Sequence, residues 1–215
     1  MGADPDQGLL SFRRLSDAIG TSHWFMGMLR DSRLVAKRLS YICSGSRWTS
    51  DRLSETPQAV SWLDDDADLQ IRPREVLAGE VASLLRRRLL GMRSENYEQV
   101  ATEAISTLLA IRSREQLRSA MADTLDGVDP LRGAAALSQV TEVVLDGAIR
   151  VAHAVAIAQT QGPQALEKGV DETGHLLAAH AEHAIIAMGR LGGAELSYAS
   201  DTDVLFVHRP RPGAT

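Results

Sequence analysis

Two aspartates one residue apart, Asp201 and Asp203, stand directly before the apolar run Val204-Leu205-Phe206-Val207, and the pair Gly192-Gly193 precedes them by a short connection. At the entry to a strand, residues i and i+2 project from one face, so this spacing brings two carboxylates together. With no cysteine nearby they are hard oxygen ligands, suited to Mg²⁺, which keeps several waters and bridges to substrate phosphates. Gly-Gly removes two side chains and lets backbone N–H groups approach a triphosphate, and a helix starting there adds an attracting dipole. Alone, a Gly-Gly pair is usually a turn and Asp-x-Asp a solvated cap. Their joint placement between two apolar runs is what points to a site.

Those runs are the elements that must hold the site. Ala184-Ile185-Ile186-Ala187-Met188 ends at a glycine and reads as a strand. Val204–Val207 is apolar on both faces and predicts a buried strand. Two strands make no stable sheet, so the chain is expected to stop inside a domain. Upstream the periodicity is helical. Leu77, Val81, Leu84, Leu85, Leu89 and Met92 share one face, with Pro73 at the start. Ala101, Ala104, Ile105, Leu108 and Leu109 predict the buried side of a second helix, and Leu117 and Met121 a third that ends at Asp126-Gly127. The best delimited helix has Asp129 as cap, Pro130 in its first position and Gly162-Pro163 as its stop. Its stripe, Leu137, Val140, Val144, Ala148, Val151, Val155 and Ala158, requires partners, hence a bundle. Short helices are predicted over Leu9 to Ile19, Trp24 to Leu29 and Leu34 to Ile42, with another starting at Thr56-Pro57. The expected partition is 1–70 (short helices and linker), 71–181 (central helical bundle) and 182–215 (the start of a catalytic domain). The fold class is mainly α, a bundle followed by the truncated beginning of an α/β domain.

Composition narrows the function. The chain has 215 residues, 44% apolar and 24% charged, with a net charge of -5. An acidic balance and 4% aromatic residues offer no footprint for nucleic acid and no stacking surface for single strands. No apolar stretch is long enough for a membrane helix, and the N-terminus has neither a signal-peptide pattern nor a full myristoylation motif. A lone cysteine, Cys43, fits a buried structural thiol in a reducing cytoplasm. The run Asp64-Asp65-Asp66-Ala67-Asp68 reads as a solvated linker, and Arg86-Arg87-Arg88 as the wet side of a helix. His175, His180 and His183 do not share a helical face and are expected to be surface residues, not zinc ligands. No Ser stands in a nucleophile-elbow context.

Gly189, eleven residues, then Asp201-Thr202-Asp203 is similar to the signature of the DNA polymerase β-like nucleotidyltransferase superfamily. The fuller string, Gly189-Arg190-Leu191-Gly192-Gly193-x-Glu195-Leu196 with Ser200-Asp201-x-Asp203, resembles one family within it, the bifunctional glutamine synthetase adenylyltransferase/adenylyl-removing enzymes. Asp4-Pro5-Asp6-Gln7-Gly8-Leu9-Leu10-Ser11-Phe12-Arg13 resembles the close of that family's first catalytic half in actinobacterial members, and Ile111–Arg118 its arginine-rich central helix.

The resemblance implies an internal piece of a longer, ATP- and Mg²⁺-dependent enzyme that transfers AMP to a tyrosine of glutamine synthetase. The helical part precedes the motif, which implies the second, adenylylating copy; the phosphorolytic adenylyl-removing half is the runner-up. A helical spacer or docking module for regulators such as the PII signal protein is the non-catalytic alternative for residues 1–181. By the resemblance, Asp201 and Asp203 are catalytic metal ligands, and Gly192, Gly193 and Ser200 line the phosphate pocket with Gly189 beside them. Arg190 replaces the family's usual lysine, keeping the charge with a forked geometry. A further metal-binding aspartate of the family has no counterpart in these residues, so the chain by itself is expected to transfer no AMP.

Overall fold

The computed structural model describes residues 4–20, 22–93, 95–170 and 176–211. The chain is mainly α, with a two-stranded antiparallel sheet among the described residues. It divides into two compact units: residues up to Ile71 with Arg114–Gly133, and Arg72–Ser113 with the residues from Ala134 onward. The expected cuts at 70/71 and 181/182 follow chain order, whereas compactness in space groups 114–133 with the first seventy.

In the first unit, helices α1 (Pro5–Ile19), α2 (His23–Asp31), α3 (Arg33–Gly45), α4 (Arg47–Glu55) and α5 (Asp66–Leu69) enclose one apolar core with a 3₁₀ segment, Pro57–Asp64. Side-chain caps start several of them. Asp4 Oδ1 accepts the Gln7 N–H, Ser32 Oγ the Val35 N–H, and Ser46 Oγ the Thr49 N–H. Helix α4, which the sequence did not suggest, rests on that last cap. The core centres on Leu15, Val35, Leu39, Ile42, Leu53 and Leu63, with Leu117 and Met121 from helix α7 (Tyr97–Asp126). Cys43 is buried there as expected, and burial pushes its thiol up to about 11. The acidic run is exposed but structured: Asp65 caps α5, Asp64 accepts from Ser32 Oγ, and Asp66 pairs with Arg38.

Helix α7 corrects the sequence reading. Two helices were predicted, and one of 30 residues forms. The stretch Ser113-Arg114-Glu115-Gln116 holds neither Gly nor Pro, so nothing in it stops a helix. Glu115 is buried and lies 2.7 Å from Arg114 Nε and 3.2 Å from Arg118 Nε; the Arg118 guanidinium sits 4.5 Å over the Trp62 ring. Charges are tolerated there because they are paired.

The second unit packs α6 (Arg74–Leu89), the first half of α7 and α8 (Pro130–Thr160) around Leu77, Val81, Leu85, Leu108, Val144 and Val151. Helix α8 has the boundaries expected, and Asp129 Oδ1 accepts the Leu131 N–H at its start. At ~1.5 Å per residue its 31 residues make a rod of roughly 46 Å. Gly147 lets side chains of α6 and α7 come close to the α8 backbone. A Cβ there would lie 2.9 Å from Leu108 Cδ2 and 3.0 Å from Val81 Cγ1. Leu109, expected on the buried side of α7, is 52% exposed, because the buried stripe runs Ala104, Leu108, Ile111 instead. Arg86 and Arg87 face solvent, and Arg88 pairs with Glu103 at 3.2 Å.

The sheet belongs to this unit. Strand β1 (Ala181–Ala187) pairs antiparallel with β2 (Val204–Pro210), from Ala181↔Pro210 to Ala187↔Val204. Burial of β2 is the second correction: Leu205, Phe206 and Val207 are 52%, 62% and 43% exposed. Their pattern asks for cover on two faces, and a ladder of two strands does not supply it.

Candidate functional site

The connection between β1 and β2 holds every candidate residue. It opens with the one-turn helix α9 (Gly189–Gly192) and returns through 195–203 to β2. The strand register ends at Ala187↔Val204, and one further bond, Met188 N–H to the Asp203 carbonyl at 2.9 Å, closes the loop beyond it. Gly189 and Asp203, fourteen positions apart, are therefore neighbours.

Gly189 is required there twice over. Its φ of 52° lies in the left-handed region, and a Cβ would stand 2.9 Å from Asp203 Oδ2. The spacing of glycine and Asp-x-Asp is thus a contact: the bare Gly189 backbone lies against the Asp203 carboxylate. Gly192 is needed for a different approach, since a Cβ would come 2.6 Å from the Ala187 carbonyl oxygen. Gly193 has helical φ, and a Cβ there would make only ordinary contact with the Glu195 side chain, at 3.5 Å, so neither strain nor crowding demands glycine at that position.

The amides expected to meet a phosphate are employed otherwise. Gly192 N–H donates to the Met188 carbonyl at 2.9 Å and Gly193 N–H to the Gly189 carbonyl at 3.1 Å. Helix α9 consumes them, and the N–H groups of its first turn, Gly189 to Leu191, have no partner within the helix, as at any helix start. Arg190 is exposed; its Nε donates to the Glu195 carbonyl at 3.0 Å while the Glu195 N–H donates to the Arg190 carbonyl at 2.7 Å. That leaves the outer guanidinium nitrogens facing solvent. Ser200 builds a turn: its Oγ accepts the Ser197 N–H at 2.8 Å and lies 2.7 Å from Ser197 Oγ.

Asp201 and Asp203 are both exposed in the extended segment before β2, and neither finds an ion-pair partner among the described residues. Two unpaired carboxylates at a strand entry fit a hard cation whose remaining ligands are waters and substrate oxygens. Among the described residues no group of three or more His, Cys, Asp or Glu side chains is placed to hold a metal. The loop is anchored from below by a small apolar cluster of Leu137, Leu191 and Leu196, flanked by Leu145, Ala187, Tyr198 and Val204.

A histidine grouping appears where the sequence suggested another. His175 lies outside the described residues. His180 Nε2 is 3.2 Å from Thr160 Oγ1 and 2.9 Å from Gln161 Nε2. His183 instead meets His153 of α8, 2.5 Å from Nδ1 to Nε2, and stacks on His208 at 5.9 Å. His208 is its direct cross-strand partner, which only the register discloses. No helix among the described residues is long and apolar enough to cross a membrane.

Comparison with known proteins agrees with the motif. The family model described as Glutamate-ammonia ligase adenylyltransferase matches residues 36–215. A protein of Leifsonia xyli subsp. xyli is 40% identical over 209 residues, covering 97% of this chain and 18% of its own length. Similar proteins of Streptomyces coelicolor (36% identical, 98% of this chain, 20% of the relative) and Corynebacterium efficiens (37%, 98%, 18%) carry the same name, bifunctional glutamine synthetase adenylyltransferase/adenylyl-removing enzyme. The chain therefore spans 18 to 20% of the length of these relatives.

Proposed function

The chain belongs to the glutamate–ammonia ligase adenylyltransferase family, and from that premise we propose that it forms part of an enzyme that transfers AMP from ATP to a tyrosine of glutamine synthetase. The observation that supports this reading is the close approach of Gly189 to Asp203, which sets one of the two candidate carboxylates beside the start of α9. Asp201 and Asp203 would hold Mg²⁺, which when bound neutralises triphosphate charge and favours displacement at phosphorus. With no side chain at Gly189, nothing pushes the Asp203 carboxylate away from the position in which it would meet the ion. The outer nitrogens of Arg190 supply positive charge for a substrate phosphate. Ser200 shapes the turn that delivers Asp201 and Asp203 to the site, in addition to lining it. Glutamine synthetase is the macromolecular substrate on this reading, the PII signal protein a candidate regulator and the cytoplasm the setting.

The adenylyl-removing half stays as a second reading, because the relatives' names hold both activities. A helical docking module, residues 1–181, is compatible with either. Assays on the full-length polypeptide separate the halves: Asp203→Asn should sharply reduce ATP-dependent adenylylation and leave phosphate-dependent removal of AMP in place. We expect a loss of about 10²–10³-fold, the scale of removing one preorganised electrostatic contact to the transition state. Near-normal adenylylation by that variant would rule out the assigned role, and selective loss of AMP removal would transfer the site to the other half. The 215-residue chain alone should show no turnover with glutamine synthetase and Mg-ATP, since the further metal-binding aspartate that the resemblance implies has no counterpart in these residues; measurable transfer would refute this.

A further inference from the structure

Helix α8 carries a buried serine at the start of its apolar stripe. Ser138 is 1% exposed, next to Leu137, and its hydroxyl donates to the Ala134 carbonyl at 2.9 Å. Back-bonding of this kind holds the hydroxyl in one rotamer and leaves its lone pairs pointing away from the helix. Thr141, one turn on, makes the equivalent bond to the Leu137 carbonyl. Ser138 differs in taking a second partner from outside the helix: the N–H of Leu196 donates to its Oγ at 3.4 Å.

Leu196 is 2% exposed and its side chain packs on Leu137. The same residue is thus gripped by α8 through its side chain and through its amide. A buried N–H that loses its acceptor is costly, so this amide is tied to the Ser138 hydroxyl. Leu196 lies at the start of the return segment 195–203, and the next residue, Ser197, bonds Ser200 directly before Asp201. A displacement at Leu196 is passed through that turn to the carboxylates.

We infer that Ser138 is a positioning residue for the nucleotide-binding loop, fixing segment 195–200 against α8 and, through it, the placement of Asp201 and Asp203. Its consequence for catalysis rests on the adenylyltransferase reading; the contact itself does not.

The test has two arms. In the 215-residue chain, amide hydrogen exchange is compared for wild type, Ser138→Ala and Thr141→Val. Ser138→Ala should speed exchange at Leu196 by about tenfold relative to the amides of Val140 and Val144. Thr141→Val, which removes a buried hydroxyl from the same helix, should leave that ratio unchanged. Equal acceleration in both variants, or none at Leu196, overturns the inference, since Ser138 would then act only on general stability. In the full-length polypeptide, Ser138→Ala should raise KM for Mg-ATP about fivefold while KM for glutamine synthetase stays unchanged. Loosened exchange with both constants unmoved overturns the catalytic part. Asp203→Asn in the same assay reports on the underlying reading: if it is normal, that reading fails, and exchange alone judges Ser138.

Discussion

Leu108 on α7 and Phe206 on β2 are both large apolar side chains in strongly patterned segments, yet one is 1% exposed and the other 62%. Leu108 meets α6 and α8 in a core that the chain closes on itself, where Gly147 lets the helices come together. Phe206 stands on a ladder of two strands, with nothing among the described residues to cover it. The difference is not one of hydrophobicity. An apolar pattern states what must leave water, and the partner that removes it is a matter of topology.

The comparison breaks first at Leu108. Truncation to Ala should destabilise the chain by about 2–5 kcal/mol, the range for a buried leucine whose site relaxes only partly. Denaturant unfolding measures it, and a loss below about 1 kcal/mol would mean that the three-helix core is loosely packed. Cys43, in the closed core of the first unit, is of intermediate effect and depends on pH. Its thiol titrates near 11 in the fold against 9.0 in the open chain, because burial disfavours the thiolate and the Ser50 hydroxyl only partly offsets that. The folded pKa is the higher one, so the contribution is complete below about pH 9 and is lost as pH rises toward 11. Across that window the wild type should lose about 2–3 kcal/mol more than Cys43→Ala. Parallel pH profiles for the two would show that the thiol is not desolvated. Phe206→Thr is the smallest: it keeps a strand-forming residue and should change stability by less than about 0.5 kcal/mol. A larger loss would show that this face of β2 is covered after all.

Much of the architecture was legible because it rests on local signals. Asp129-Pro130 and Gly162-Pro163 bound α8 correctly, since a cap, a fixed φ and a helix stop act within a few residues. The stripe of α6 was read correctly for the same reason. The break expected within α7 failed because nothing in Ser113–Gln116 forbids a helix, and the pairing of Glu115 with Arg114 and Arg118 comes from packing. The candidate site divides in the same way. Asp201, Asp203 and Gly189 announced themselves by type and spacing. Ser138 did not, because one serine within an apolar stripe has no signature until the segment it touches is in place, and the pairing of His183 with His208 needed the register.

The amino-acid sequence by itself determined which residues carry acid, which lack side chains, where α8 starts and stops, and which family the chain resembles; these follow from covalent chemistry and near-neighbour sterics. Tertiary structure alone decided that Gly189 touches Asp203 and that Leu196 hangs from Ser138. Those contacts join residues 14 to 58 positions apart, and the choice among such partners is made by the packing of whole elements, which no local pattern encodes.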